Sequence, residues 1–209
     1  MDYSLYLVTD ANLSRGRSEQ DVVAAAIQGG VTMVQYRAKS ASTRLMIATA
    51  QGLVERCREQ NIPFIVNDRV DVALAVGADG VHVGQDDMPA ALARQLIGPG
   101  KILGVSVENV EQAQQALADG ADYLGASPIF ATPSKPDAPA PIGVEGLELL
   151  THNSPLPIVA IGGINASNAA MMIRAGAAGV AVISAIVSAD NVESAAQSLK
   201  RVIQYAQGK

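Results

Sequence analysis

The chain has 209 residues, 49% apolar and 3% aromatic, with no tryptophan and a formal net charge of −5. That length suits one domain with a sizeable core, and 19 glycines with 10 prolines fall well short of low-complexity composition. An acidic chain poor in rings offers neither the basic face nor the stacking platform that nucleic acid requires, so any phosphate site has to be a local pocket. The start, MDYSLYLVTD, lacks the basic residues and long apolar stretch of a secretory signal. No run reaches the ~18 apolar residues of a membrane span, so a cytoplasmic protein is expected. Cys57, the one cysteine, excludes an internal disulfide.

Taken in chain order, residues 5–8 form a strand-like run, followed by Val22, Val23, Ala26 and Ile27 at helical spacing. Residues 31–36 are strand-like again, and Met46, Ala50, Leu53 and Cys57 mark the next helix. Short runs rich in β-branched residues recur at 64–66, 81–83, 102–105, 123–126, 158–161 and 180–183, with helical patterns between them. The last helix carries Val192, Ala195, Ala196, Leu199, Val202, Ile203 and Ala206 on one stripe. Eight strand–helix units with near-continuously apolar strands require a parallel sheet covered on both faces. The even strands are entered through Gly29-Gly30, Gly77-Ala78, Gly120-Ala121 and Gly176-Ala177, whereas the third, fifth and seventh are entered through Pro63, Pro99 and Pro157. A period of two units suits an eight-stranded barrel, whose odd and even strands feed different interior layers. The expected fold is therefore α/β, a single (β/α)8 barrel over residues 1–209, with an open doubly wound sheet as the alternative. The chain is shorter than the ~250 residues usual for barrels, so its loops should be lean, apart from the proline-rich segment 127–143.

A barrel active site lies at the C-terminal ends of the strands. Just past the strands stand Thr9 and Asp10; Gln35, Arg37 and Lys39; Asn67 and Asp68; Gln85, Asp86 and Asp87; Ser106 and Glu108. Thr132, Ser134 and Lys135 follow in the long segment, then Gly162-Gly163-Ile164-Asn165, then Ile183-Ser184. Gly162-Gly163 and Ile183-Ser184 follow the last two strands, where many barrels hold a phosphate on backbone N–H groups; the alternative is a tight turn and nothing more. Asp68 and Asp87 follow adjacent strands and offer hard oxygens suited to Mg²⁺ shared with a phosphorylated substrate. Alternatively each caps a helix, one near residues 70–76 and one with Pro89 in its first turn. Arg37, Lys39 and Lys135 sit on different loops around the same mouth, more like a clamp on an anion than solvated surface cations. His82 lies within a strand and is read as a buried, hydrogen-bonded histidine; His152 falls in a polar turn and Cys57 on an apolar helix stripe. No Ser/His/Asp set or Cys/His pair is in position for nucleophilic catalysis. The residues by themselves describe a barrel handling two anions, a Mg²⁺-bound diphosphate near strands two to four and a monophosphate near strands seven and eight. The simplest chemistry for them is loss of diphosphate.

Segments through essentially the whole chain are similar to one family. LYLVTD, Gln35-Tyr36-Arg37-Ala38-Lys39, Val66-Asn67-Asp68, Gly80-Val81-His82-Val83-Gly84-Gln85-Asp86-Asp87 and Leu103-Gly104-Val105-Ser106 resemble thiamine-phosphate synthase. So do Pro128-Ile129-Phe130-Ala131-Thr132-Pro133-Ser134-Lys135, Ile161-Gly162-Gly163-Ile164 and Val182-Ile183-Ser184-Ala185-Ile186. The resemblance implies that 4-amino-2-methyl-5-hydroxymethylpyrimidine diphosphate is joined to a thiazole phosphate, or its carboxylated form, by a dissociative step, giving thiamine phosphate and diphosphate. It implies that Asp68 and Asp87 ligate Mg²⁺. Gln35, Arg37, Lys39, Asn67, Ser106 and Lys135 would hold the pyrimidine and its diphosphate, with Lys135, Ser106 and Arg37 as catalytic residues. Thr132, Ser134, Gly163, Ile183 and Ser184 would hold the thiazole phosphate. Three departures stand out: Ala38 where an acidic residue is usual, Asp86-Asp87 where Glu is commoner in the run, and Ala126-Ser127 where glycine is common.

The nearest rival is thiazole tautomerase, an isomerase on the same fold that carries a histidine where this chain has Pro128. A sugar-phosphate isomerase or aldolase barrel would need a general base or a Schiff-base lysine in a strand, and no lysine lies in a strand core. A non-catalytic phosphate-binding module would tolerate loss of the metal ligands. Small-molecule substrates, no nucleic acid and no membrane are the expected partners, and a homo-oligomer is compatible with them. The segment 127–143 is expected to close on substrate, because Lys135 has to approach the mouth.

Overall fold

The computed structural model describes residues 1–132 and 139–208. Eight parallel strands pair in sequence order and β1 pairs with β8, closing a barrel and excluding the open doubly wound sheet. The strands are β1 (Leu5–Val8), β2 (Met33–Tyr36), β3 (Phe64–Asn67), β4 (Gly80–Val83), β5 (Ile102–Val107), β6 (Tyr123–Ala126), β7 (Ile158–Ile161) and β8 (Gly179–Val182). Helices α1 (Glu19–Gln28), α2 (Thr43–Glu59), α3 (Val70–Val76), α4 (Ala90–Ile97), α5 (Val110–Ala118), α6 (Gly143–Asn153) and α7 (Ala169–Arg174) connect them. After β8 come a short α8 (Ser184–Val187) and the long α9 (Val192–Ala206), one helix more than eight strand–helix units require. Among the described residues no helix is long and apolar enough to cross a membrane.

Strand parity divides the apolar residues into two cores. Leu5, Leu7, Val34, Phe64, Val66, Val81, Val83 and Leu103 face outward into the layer shared with the helices. Tyr6, Val8, Met33, Ile65, Tyr123, Val159 and Ala181 face inward and fill the barrel, with Tyr3 joining them. Three of the five tyrosines thus lie inside the barrel. Space for them comes from glycine. A Cβ added at Gly104 would overlap the Tyr123 ring and His82 Nδ1, and one at Gly125 would sit 3.0 Å from His82 Cε1.

The two-unit period has a hydrogen-bond cause. In three of the four odd strands an N–H at or next to the first residue is met by a polar side chain entering the next strand: Leu5 donates to Thr32 Oγ1 (3.1 Å), Phe64 to Asp79 Oδ2 (2.8 Å) and Leu103 to Asp122 Oδ2 (2.7 Å). The preceding glycines take the left-handed backbone that ends a helix, with φ +94° at Gly30, +66° at Gly77, +87° at Gly120 and +91° at Gly176. Cys57 is wholly buried, and burial pushes its thiol up to about 12, which makes it an unreactive core residue.

Several boundaries move. β2 starts at Met33, two residues after the start expected at 31, and β8 stops at Val182, leaving Ile183 as the residue before α8. β5 runs on to Val107, so Ser106 is an inward strand residue and does not lie past the strand end.

Candidate active site

At the ends of β2 to β4, cations and carboxylates are already paired. The Arg37 guanidinium donates to Asp10 Oδ2 at 2.7 Å, with the two side chains only 13% and 12% exposed. Lys39 Nζ lies 2.9 Å from Asp68 Oδ2 and is half-exposed. These two cations therefore form ion pairs within the chain, a change from a clamp free to meet an anion. Against two cations, Arg37 and Lys39, that end of the mouth sets three carboxyls, those of Asp10, Asp68 and Asp87.

Asp68 has φ +60°, a left-handed backbone that few non-glycine residues adopt, and its N–H continues the β3–β4 ladder by donating to the His82 carbonyl at 2.8 Å. Asp87 sits on a turn after β4 and accepts the Gly84 N–H on Oδ2 at 2.8 Å. The Asp68 and Asp87 carboxyls line the same cavity wall; burial first, and the neighbouring Asp87 carboxyl, push Asp68 above the usual carboxylate range while Lys39 opposes the shift. Neither acid caps a helix, contrary to the alternative reading: the residues before α3 and α4 are Arg69 and Pro89, and neither makes a side-chain capping bond. Among the described residues no three His, Cys, Asp or Glu side chains gather as a metal site. Two touching carboxyls with no third ligand suit a hard dication that keeps waters and completes its shell with substrate phosphate, as Mg²⁺ does.

Deeper in the barrel, a chain of hydrogen bonds crosses from β2 to β5. Gln35 Nε2 donates to Tyr6 Oη (2.9 Å), Tyr6 Oη meets Tyr123 Oη (2.9 Å), Tyr123 Oη meets His82 Nδ1 (2.9 Å), and His82 Nε2 meets Ser106 Oγ (2.9 Å). Burial raises the pKa of both tyrosines far enough to keep their hydroxyls protonated at neutral pH. His82 is buried and hydrogen-bonded, as its strand position implied, and it also lines the cavity above. We predict that Tyr6→Phe, which strands a buried Gln35 donor, lowers unfolding free energy by about 1–3 kcal/mol in urea titrations. An unchanged midpoint and slope would show that the bond contributes nothing.

At the ends of β7 and β8, Gly162 (φ +106°) and Gly163 (φ +65°) need glycine twice over. Added Cβ atoms would lie 2.8 Å from Pro128 Cβ and 2.8 Å from Phe130 Cβ respectively. The Phe130 N–H donates to the Gly162 carbonyl at 3.1 Å, stitching the segment after β6 to this turn. The pair is thus more than a turn: it is a close packing of two loops at the cavity wall. Next to it, α8 begins at Ser184, and the first N–H groups of a helix have no intrahelical acceptor.

One cavity of about 340 Å³ joins these regions. Gln35, Arg37, Lys39, Asn67, Asp68, Asp87, Ser106, Thr132, Gly163, Ile183 and Ser184 all line it. Ser134 and Lys135 lie outside the described residues, as does the central part of the segment expected to close on substrate. Tyr6, His82 and Tyr123 line the same cavity from within β1, β4 and β6, and none of them lies past a strand end. The signal was strand parity, since positions 6 and 8, 82, and 123 and 125 fall on inward faces.

Similarity to known proteins is consistent along the whole chain. Residues 5–186 match the family described as thiamine monophosphate synthase. The thiamine-phosphate synthase of Chloroflexus aurantiacus is 61% identical over 209 residues, covering 100% of this chain and 96% of that protein. The thiamine-phosphate synthase of Moorella thermoacetica is 49% identical over 207 residues, covering 99% of each. A solved structure of thiamine phosphate pyrophosphorylase from Pyrococcus furiosus superposes with a TM-score of 0.91 at 42% identity, covering 98% of this chain and 97% of that one. With its closed barrel, the cavity at its strand ends and these relatives, the chain belongs to the thiamine monophosphate synthase family.

Proposed function

We propose that the chain is a transferase of thiamine biosynthesis that joins 4-amino-2-methyl-5-hydroxymethylpyrimidine diphosphate to a thiazole phosphate, releasing diphosphate. The observation that carries this reading is one cavity with a carboxyl pair at one end, a glycine turn and helix start at the other, and a hydrogen-bonded floor between. Gln35 spends its amide N–H₂ on Tyr6, which leaves its carbonyl oxygen to accept from the exocyclic amino group of the pyrimidine. Ser106, at the other end of the chain, offers its hydroxyl to the ring. Arg37, Lys39 and Asn67, with Lys135, hold the diphosphate. Gly163, Ile183 and Ser184, with Thr132 and Ser134, hold the thiazole phosphate.

Asp68 and Asp87 would hold Mg²⁺, which supplies charge stabilisation for the departing diphosphate. The methylene carbon–oxygen bond breaks and its electron pair leaves with diphosphate. The aminopyrimidine ring spreads the resulting positive charge, and the thiazole nitrogen lone pair then forms the new carbon–nitrogen bond. Protein groups contribute position and electrostatics: Lys135 and Arg37 meet the developing negative charge, and Ser106 fixes the ring. A cytoplasmic location and small-molecule partners go with this reading.

The tautomerase reading is not favoured, since the high-identity relatives are synthases and Pro128, not histidine, lines the wall. Incubation of the purified protein with both substrates and Mg²⁺ should yield thiamine phosphate. No product, together with aromatisation of the carboxythiazole phosphate alone, would assign the tautomerase.

A further inference from the structure

Residues 9–18, joining β1 to α1, line none of the large cavity, yet they bond to Arg37 at one of its ends and to the back of α8, whose first residues line the other. At the first end, Asp10 uses its carboxylate twice: Oδ1 accepts the Asn12 N–H at 3.0 Å and fixes the loop, and Oδ2 holds the Arg37 guanidinium at 2.7 Å. The Arg37 N–H donates to Thr9 Oγ1 at 3.1 Å. Both the backbone and the side chain of Arg37 are thereby set from this segment.

At the second end, Arg17 grips the far side of α8. Its Nη2 donates to the Val187 carbonyl at 2.8 Å and its Nη1 to the Ala189 carbonyl at 2.8 Å, while its Nε is tied to the Ser14 carbonyl at 2.9 Å. Ser188 Oγ adds a bond to the Leu13 carbonyl at 3.1 Å, and Arg15 pairs with Asp190. A cation at the last carbonyls of a helix satisfies them and complements its dipole. A helix of only four residues (Ser184–Val187) is too short to hold its own position.

We propose that the β1–α1 segment is a strut that positions the two anion-binding ends separately: Asp10 orients Arg37 for the diphosphate, and Arg17 anchors α8 for the thiazole phosphate. Asp10 and Arg17 are positioning residues and touch no substrate. The inference rests on the proposed assignment of the two ends to the two substrates.

The test is a set of steady-state constants for both substrates in Asp10→Asn, Arg17→Ala and Arg17→Lys. Asp10→Asn should raise KM for the pyrimidine diphosphate about tenfold and leave that for the thiazole phosphate within about twofold. Arg17→Ala should do the reverse, with Arg17→Lys intermediate. Calorimetric binding of the thiazole phosphate and of the corresponding thiazole alcohol adds a readout that general loosening would not move. Arg17→Ala should weaken the phosphate about tenfold and leave the alcohol unchanged. Should Arg17→Ala not fold, Arg17→Lys carries the same comparison. Equal rises in both KM values, or no rise in either, would overturn the strut. Wild-type protein that binds the alcohol as tightly as the phosphate would instead overturn the assignment of the α8 end, and the Arg17 role with it.

Discussion

Asp68→Asn and Asp87→Asn should each lower turnover by at least about 100-fold in a product-release assay, the scale of losing one electrostatic contact to a transition state. The substitutions keep size and remove charge from one of two neighbouring carboxyls that line the cavity. Asparagine at either position leaves one carboxylate to hold a dication, and no third acidic or imidazole ligand stands by among the described residues. Asp68 also predicts a pH dependence. Burial and Asp87 raise its pKa, so at pH values below its titration a cation competes with a proton for the carboxylate. Mg²⁺ affinity should therefore rise with pH through the Asp68 titration, and calorimetry should show proton release on binding. The same shift means that the metal-free native state holds its proton more tightly than the unfolded chain does. Its stability should decline as pH rises from the unfolded value through the folded one. Mg²⁺ affinity that is flat across this range, with near-wild-type turnover in both variants, would remove the pair from the metal site.

Lys135→Ala should cost a similar factor in turnover, about 100-fold. Arg37 and Lys39 are each paired with an aspartate, and Asp87 adds a third carboxyl to the same end of the mouth. Both cations are thus already engaged, and a diphosphate entering such a place needs further positive charge. The metal is one source, and Lys135, which the sequence resemblance places among the diphosphate ligands, is the other. Lys135→Ala should therefore lower kcat more than it raises KM for the thiazole phosphate. Lys135→Arg should recover part of the loss. Equal activity in Lys135→Ala and wild type would show that Arg37, Lys39 and the metal suffice.

The architecture was legible because its signals were local. Each strand is a short apolar run, each helix has a stripe, and the alternation of glycine and proline entries recorded the odd–even layering of the barrel. The structure supplies the reason in the bonds from Thr32, Asp79 and Asp122 to the odd strands. The strand-end residues were legible for the same cause: a βα loop follows its strand in sequence as it does in space. Ion pairs between loops were not. Asp10 and Arg37 are separated by 27 positions and Lys39 and Asp68 by 29, so composition could count their charges without showing that they cancel. The tyrosine–histidine floor was hidden because it depends on strand parity. Tyr6 and Tyr123 look apolar in a run and become a polar chain only when β1 and β6 turn the same face inward. Arg17 gave no sequence signal, since its partners are main-chain carbonyls some 170 residues away.

The most direct measurement is the stoichiometry of the reaction in wild-type protein supplied with both substrates and Mg²⁺. One diphosphate should appear for each thiamine phosphate formed, and both should stop when the metal is chelated or the thiazole phosphate is omitted. Thiamine phosphate made at an undiminished rate with the metal chelated, or diphosphate released without any coupled product in the presence of both substrates, would contradict this account of the site.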